Sequence, residues 1–380
     1  MFNLNLAPEQ VAIQQKTRAF VDSCVIPQVK EFDEKGEFPT PIIDEARQQG
    51  YLQTCVPAEY GGPGYDALTI GLITEELGRG CIGVATCLGG NGLSSYPVLL
   101  GGSDELKKAW FQFLTDGKLG AFALTEPGAG SDAAAVATRA VAAGDCYVLN
   151  GSKCFITTGA YASVFCIIAS TDPSLGTKGL SAFYVEAGTP GLKIGKHENK
   201  LGLRASNTVE LILNDLRVPK SQLIGREGIG FKLAMGGLDS GRINQAAMAV
   251  GLAQRALEEV VQFTRTETRN GKPLSRSQDI QFKVADMATQ VAAARNMYYW
   301  AAFLKDSHQP FSQAAAMAKL FCTDTATQVA CLAVEIFGLY GFMKESPVEK
   351  LMRDVKVMQI YEGTNQIQRI VIGGATLAGT

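Results

Sequence analysis

Glu362 stands in MQIYEGTNQIQRI (358–370), between Tyr361 and Gly363 and among apolar neighbours. A carboxylate in that setting loses hydration, which raises its pKa toward the range of a useful base. A glutamate capping a helix ahead of Gly363 and Thr364 is the other reading of the same residues. In GGLDSGRINQAAMAVG (236–251), Arg242 follows Asp239 by three, which puts both on one helix face. That pair is either a surface ion pair or part of a binding face. In AFALTEPGAGSDAAA (121–135), a strand-like run ends at Thr125 and turns through Pro127, Gly128 and Gly130, with Ser131 and Asp132 placed to cap the next segment. Backbone N–H groups among small residues suit close approach of a planar ring or a phosphate; a purely structural turn is the alternative. RTETRNGKPL (265–274) reads as a helix end, with Gly271 as the stop and Pro273 just beyond. It sets Glu267 between Arg265 and Arg269.

Other chemistries find little support. Only two histidines occur, His197 and His308, so neither His-centred catalysis nor a His-rich metal site is expected. Nine cysteines are scattered without a CxxC, which reads as reduced thiols in a cytosol-like compartment. No GxGxxG follows a strand and no GxxxxGK[ST] is present, while GREGIG (225–230) reads as a loop leading into a helix. A net charge of −2 gives no basic footprint for nucleic acid. No run of about 18 apolar residues suggests a membrane span. The start MFNLNLAPEQ has neither a basic n-region nor an apolar h-region, so no targeting segment is expected. The expected location is cytoplasmic, or the mitochondrial matrix for a mature form.

These residues must be held by a sizeable scaffold. A chain of 380 residues, 46% of them hydrophobic, is long and apolar enough for two or three domains. Residues 1–118 read as helices. PEQVAIQQKTRAFVDSCVIPQVKEF puts Val11, Ala19, Phe20 and Cys24 on one face and breaks at Pro27. Residues 119–228 read as strands. SVFCIIAS, GLSAFYVE and NTVELILNDLRVP are short, rich in β-branched and aromatic residues, and only imperfectly alternating. Helices return over 229–380, where Val284, Met287, Val291, Ala294 and Met297 keep helical spacing. The expected fold is α+β: an N-terminal helical domain (1–118), a middle antiparallel β-barrel or sandwich (119–228) and a C-terminal helical bundle (229–380).

Together LTEPGAGSD, LNGSKCFIT, KLGLRAS, GREGIGF, IQFKVADM and PVEKLMRDVKVMQIYEGTNQIQR resemble the acyl-CoA dehydrogenase family over essentially the whole chain. The resemblance implies FAD as cofactor and an acyl-CoA substrate that loses a proton and a hydride from adjacent carbons. It also implies a homotetramer or dimer of dimers, and an electron-transfer flavoprotein as acceptor. Glu362 would be the base. Some relatives carry the base on the helix of DSGR, but Gly241 stands there. The Glu362 N–H, with a flavin hydroxyl, would hold the thioester oxygen. Phe122, Leu124 and Thr125 would line the flavin ring, and Phe155 and Thr157 its other face. Ser131 would reach the phosphate region and the substrate. Asp239 and Arg242 would meet the substrate, and Gly363 would let the thioester approach. Gln278, Thr364 and Gln366 would touch the cofactor.

The pattern departs where the family contacts the FAD pyrophosphate and adenosine from another subunit. Glu267 replaces an arginine, Asn270 a phenylalanine, Glu335 a glutamine and Leu339 a glycine. Arg269 is the expected substitute contact. The expected function is dehydrogenation of a short-chain, possibly branched, acyl-CoA to the trans-2-enoyl-CoA. The alternatives are a dehydrogenase or enoyl reductase of carrier-protein-bound acyl groups, and a thioester-binding relative that has lost FAD.

Overall fold

The computed structural model describes residues 5–379. The chain opens with α1 (Pro8–Phe20), α2 (Ile26–Lys35), α3 (Thr40–Gln48), α4 (Ala67–Gly80), α5 (Ile82–Gly101) and α6 (Asp104–Thr115). Pro27 does not break the chain. A π-helical turn, Val21–Val25, precedes α2, and Pro27 falls in the first turn of α2, where its missing N–H leaves no bond unmade.

The middle segment forms one sheet from β1 (Leu119–Ala123), β2 (Arg139–Ala143), β3 (Cys146–Thr157), β4 (Ala162–Ser170), β5 (Leu180–Glu186), β6 (Leu192–His197), β7 (Thr208–Pro219) and β8 (Leu223–Ile224). The strand order is β6-β7-β3-β2-β4-β5-β8, with β1 also on β4. The sheet is mixed where an antiparallel one was expected: β1 runs parallel to β4, and β2 meets β4 in parallel at Arg139 opposite Ser170. Parallel pairing needs a long crossover, and the chain through β2 and β3 supplies it. Both faces of β4 and β5 are buried, which explains their weak alternation. Val164, Cys166, Ile168, Leu180, Ala182 and Tyr184 pack toward Trp110, Phe111 and Leu114 of α6. Phe165, Ile167, Ala169, Phe183 and Val185 fill the sheet's own interior with Leu149, Leu211 and Val218.

The remaining helices are α7 (Gly230–Thr266), α8 (Gln278–Asp306), α9 (Ser312–Phe337), α10 (Pro347–Val355) and α11 (Asn365–Ala378). Met287, Val291 and Ala294 are buried as the spacing predicts. The N-terminal and C-terminal helices share one core, in which Leu72, Ile73 and Leu77 of α4 join Ile243, Met248 and Val250 of α7. The two helices cross closely at glycines. A Cβ on Gly78 would lie 2.5 Å from the Met248 carbonyl oxygen, and one on Gly251 would lie 1.9 Å from that of Glu75. α9 with its following turn is long and apolar enough to match a membrane helix by composition. Half of that stretch is buried, including Ala314, Ala315, Cys322, Ala326 and Val329 of the shared core.

RTETRNGKPL differs from its sequence reading. α7 ends at Thr266, and Gly271 is not its stop. The next residues form a hairpin, β9 (Thr268–Arg269) against β10 (Lys272–Pro273), with Asn270 at φ +53° and Gly271 at φ +75° between them. Two left-handed residues in a two-residue loop make a type I′ turn, for which Asn-Gly is the favoured pair.

Candidate active site

One side of the site is a ledge built on an irregularity in β3. Between Lys153 and Ile156, three steps along β3 oppose two along β7, a β-bulge. Phe155 sits in it at φ +58° and stays 63% exposed. A left-handed aromatic residue costs about 1–3 kcal/mol and persists only where its surroundings impose it. Those surroundings are tight. Lys153 is fully buried and donates to the Leu124 carbonyl (3.0 Å) and to Glu126 Oε1 (2.6 Å). Glu126 also accepts from the Ala137 N–H (2.7 Å) and the Thr138 N–H (3.0 Å), and the Cys154 N–H donates to the Thr125 carbonyl (2.9 Å). Burial pulls the Lys153 ammonium down to about 8 against the pull of Glu126. Burial pushes the Glu126 carboxyl up, but Lys153 and the N–H donors outweigh it and leave it below its ordinary value. Leu124 and Thr125 are thereby tied to the strand carrying Phe155 and Thr157.

The other side is the loop between α10 and α11. Glu362 has φ +54° and Gly363 φ +84°. Glu362 does not cap a helix; Thr364 caps α11, its side chain accepting from the Ile367 N–H (3.2 Å). Gln368 Nε2 donates to the Glu362 carbonyl (3.3 Å) and the Gly363 carbonyl (2.9 Å), and Lys319 Nζ donates to the latter as well (2.8 Å). The Glu362 N–H has no acceptor among the described residues, and its Oε2 is buried without a hydrogen bond. Burial pushes the Glu362 carboxyl up to about 7, against the lowering effects of Lys319 and Arg242. A Cβ on Gly241 would stand 3.0 Å from Glu362 Oε2 and 3.7 Å from Leu93 of α5. The bare face of α7 thus makes room for the carboxylate. Asp239 and Arg242 pair at 2.5 Å with Arg242 only 6% exposed, so this is not a surface ion pair. Ser312 also donates to Asp239 (3.0 Å), and Arg242 Nε is buried without a partner.

One turn of α5 joins the two sides. A Cβ on Gly90 would meet Thr158 Oγ1 at 3.6 Å and the Gly120 carbonyl at 3.8 Å, while Leu93 lies against Gly241. Buried Asn91 between them accepts from the Gly120 N–H (2.8 Å) and donates to the Leu52 carbonyl (2.9 Å). Phe155 is exposed and Thr125 and Thr157 half-buried on the sheet side, while Asp239, Arg242, Glu362, Gly363 and Thr364 lie on the helical side. Phe122 is half-buried against the core cluster that holds Leu124. The Leu124 side chain is in the core under α6, so only its backbone is available. Ser131 is exposed at the loop tip, and Asp132 makes no side-chain cap on the next turn, contrary to the expectation. Gln366 is exposed on the first turn of α11.

Arg269 and Gln278 are elsewhere. Both are exposed at the far end of α7, roughly 40 Å along its axis from Gly241 at 1.5 Å per residue. Glu335 is there too, and it is not an uncompensated charge: Lys283 Nζ bonds it at 3.0 Å. Leu339 is 83% exposed. Sequence reasoning missed Lys153, Glu126, Lys319 and Gln368. For the lysines a signal existed: each is a lone cation in an apolar stretch, KCFI and AAAMAKLF.

A base alone would only exchange protons with a carbon acid; oxidation needs an electron acceptor beside it. The ledge fits a planar one. Phe155 is held exposed in a strained conformation, and a Cβ on Gly128 or Gly130 would meet nothing within 4 Å, so the fold's own packing does not require glycine at either position. The class this defines is a flavin-dependent oxidoreductase. The chain matches the acyl-CoA dehydrogenase N-terminal domain over residues 7–118, the middle domain over 121–216 and the C-terminal domain over 228–377. It belongs to the acyl-CoA dehydrogenase family, and FAD is its cofactor. It is 44% identical to the mitochondrial short-chain specific acyl-CoA dehydrogenase of Bos taurus, over 96% of this chain and 89% of that one. The butyryl-CoA dehydrogenase structure from Megasphaera elsdenii superposes with TM-score 0.96 at 43% identity, over 99% and 100% of the two chains. A chain in a structure of the electron transferring flavoprotein of Acidaminococcus fermentans superposes with TM-score 0.97 at 44% identity, over 99% of each.

Proposed function

We propose that the chain oxidises a short-chain acyl-CoA to the trans-2-enoyl-CoA with Glu362 as the base. The observation that carries this reading is the Glu362 carboxylate, buried without a hydrogen bond on Oε2 and facing Gly241. The thioester oxygen accepts from the Glu362 N–H, so the charge that develops as the α-proton leaves is stabilised beside the base. Oε2 takes that proton. The electron pair left behind forms the double bond as the β-hydride departs, and FAD supplies the two-electron sink for that hydride. Phe122, Thr125, Phe155 and Thr157 hold the flavin ring, and Ser131 at the loop tip reaches its phosphates or the substrate. Thr364 and Gln366 meet the cofactor from α11. Asp239 and Arg242 line the substrate side, with Leu93 and Tyr96 of α5 closing the pocket.

The relatives named above that specify a substrate specify a CoA thioester, so a carrier-protein substrate is not retained. Arg269 and Gln278 act on the cofactor of a neighbouring copy, because they lie too far along α7 to reach their own. Exposed Leu339, Tyr340, Phe342 and Leu377 support a homotetramer. An electron-transfer flavoprotein takes the electrons onward, as the Acidaminococcus likeness suggests. A reducing compartment, bacterial cytoplasm or mitochondrial matrix, suits the nine free cysteines. The test is anaerobic addition of butyryl-CoA and isobutyryl-CoA to FAD-loaded protein. Rapid bleaching of the flavin by one of them is expected, and no bleaching by any short acyl-CoA overturns the reading.

A further inference from the structure

Lys319 is a fully buried cation that forms no direct ion pair among the described residues, its carboxylate neighbours being Glu362 and Asp324. Its Nζ donates to two neutral acceptors, the Gly363 carbonyl (2.8 Å) and Asn365 Oδ1 (2.9 Å). Asn365 is itself held, donating to Thr323 Oγ1 (3.0 Å) and Asp324 Oδ1 (2.7 Å). A buried ammonium without a counter-charge is costly, and so is a buried carboxylate without one. The fold places one of each across a single loop. Arg242 is the other cation near Glu362, but Asp239 already answers its charge at 2.5 Å. Tyr361 in the same loop is a further titratable group, Asp324 of α9 acts on Lys319, and α5 brings Leu93 against Gly241 and Thr86 against Tyr361.

We propose that Lys319 is the positioning residue of the base: it clamps the Gly363 carbonyl and sets a fixed positive charge beneath Glu362, holding the carboxylate ionised and aimed. The inference rests on Glu362 being the base. The clamp fixes geometry because Glu362 and Gly363 are both left-handed and their carbonyls are tied down by Lys319 and Gln368, while the Glu362 N–H keeps no acceptor among the described residues. The charge favours the ionised carboxylate: Lys319 is the larger of the two cationic influences on Glu362, ahead of Arg242. Burial pulls the Lys319 ammonium down and the Glu362 carboxyl up, and each opposes the other's shift by favouring its partner's charged form.

The test tracks the protonated-carboxyl band of Glu362 by infrared difference spectroscopy against pH, identified by its loss in Glu362→Gln. It needs no turnover, so it separates failure of this inference from failure of the dehydrogenase reading. In Lys319→Met the band should persist to a pH about one unit higher, as expected on removing an opposite charge close by. Lys319→Gln, which keeps a donor for the Gly363 carbonyl but no charge, should shift it equally and covers the case in which the methionine variant does not fold. Lys319→Arg should restore the parental midpoint. In flavin-loaded protein, the acid limb of the bleaching rate should move with the band. A midpoint unmoved in whichever neutral variant folds, or an arginine variant that titrates like the neutral ones, overturns the proposal.

Discussion

The two ends of α7 behave in opposite ways. At its start, Gly237, Ser240, Gly241 and Arg242 are buried, and the polar atoms there are bonded within the chain or directed into the site. At its end, Arg265 and Arg269 are exposed and form no ion pair among the described residues, and the helix gives way to a hairpin. One chain completes the first region. On the proposed reading, the second acquires its partners from another copy and its cofactor. Residues at the start are therefore fixed by packing inside one chain, so a substitution there shows in chemistry. Substitutions at the end leave the chain folded and show in cofactor retention. Glu267, Asn270, Glu335 and Leu339, which depart from the family pattern, all lie at this far end, away from the ledge and Glu362.

The largest effect should come from Glu362→Gln, which removes the base while keeping its volume. Turnover of butyryl-CoA should fall about 10³-fold or more with the flavin spectrum unchanged. In the parent, the rate should rise with pH through a midpoint near 7, because only the ionised carboxylate accepts the proton. Lys153→Met comes next. Breaking a buried pair costs about 3–5 kcal/mol and frees the Leu124–Glu126 segment, so the urea midpoint and bound FAD should both drop. At the far end, Arg269→Ala should weaken FAD retention about tenfold, more than Arg265→Ala, without altering the melting curve of the flavin-free protein. Equal losses would mean that Arg269 does not take over the phosphate contact. The smallest effect is Gly241→Ala. A Cβ 3.0 Å from Glu362 Oε2 displaces the carboxylate by a few tenths of an ångström and should slow the flavin bleaching about fourfold.

The order of helices, strands and helices was legible from period and turn residues. The apolar surroundings of Glu362 likewise implied the raised pKa that its burial produces, though not which of two readings of the residue applied. The ledge was legible only as a glycine-rich turn, because its support comes from Lys153 and Glu126, 27 residues apart in sequence. The parallel pairing of β1 was hidden for the same reason: register between distant strands leaves no local pattern. β4 and β5 obscured their own alternation by being buried on both faces. In RTETRNGKPL the Asn270-Gly271 signal was present, but a glycine after a helix also reads as a stop, and the hairpin strands are only two residues each. Lys319 was overlooked because a single lysine in an alanine-rich helix resembles a solubilising residue until its burial is seen.

The core shared by α4 and α7 has a consequence for biosynthesis. Many of the core partners of Leu72 and Leu77 lie beyond residue 240, with the whole sheet in between. At about 5–20 residues per second, the first helices emerge on the order of ten seconds or more before α7. Until then the part of their apolar surface that α7 and α8 cover is exposed, while the sheet between them, whose interior is filled by its own strands, has its core partners at hand. The helical core is thus completed only when the latest part of the chain reaches the earliest.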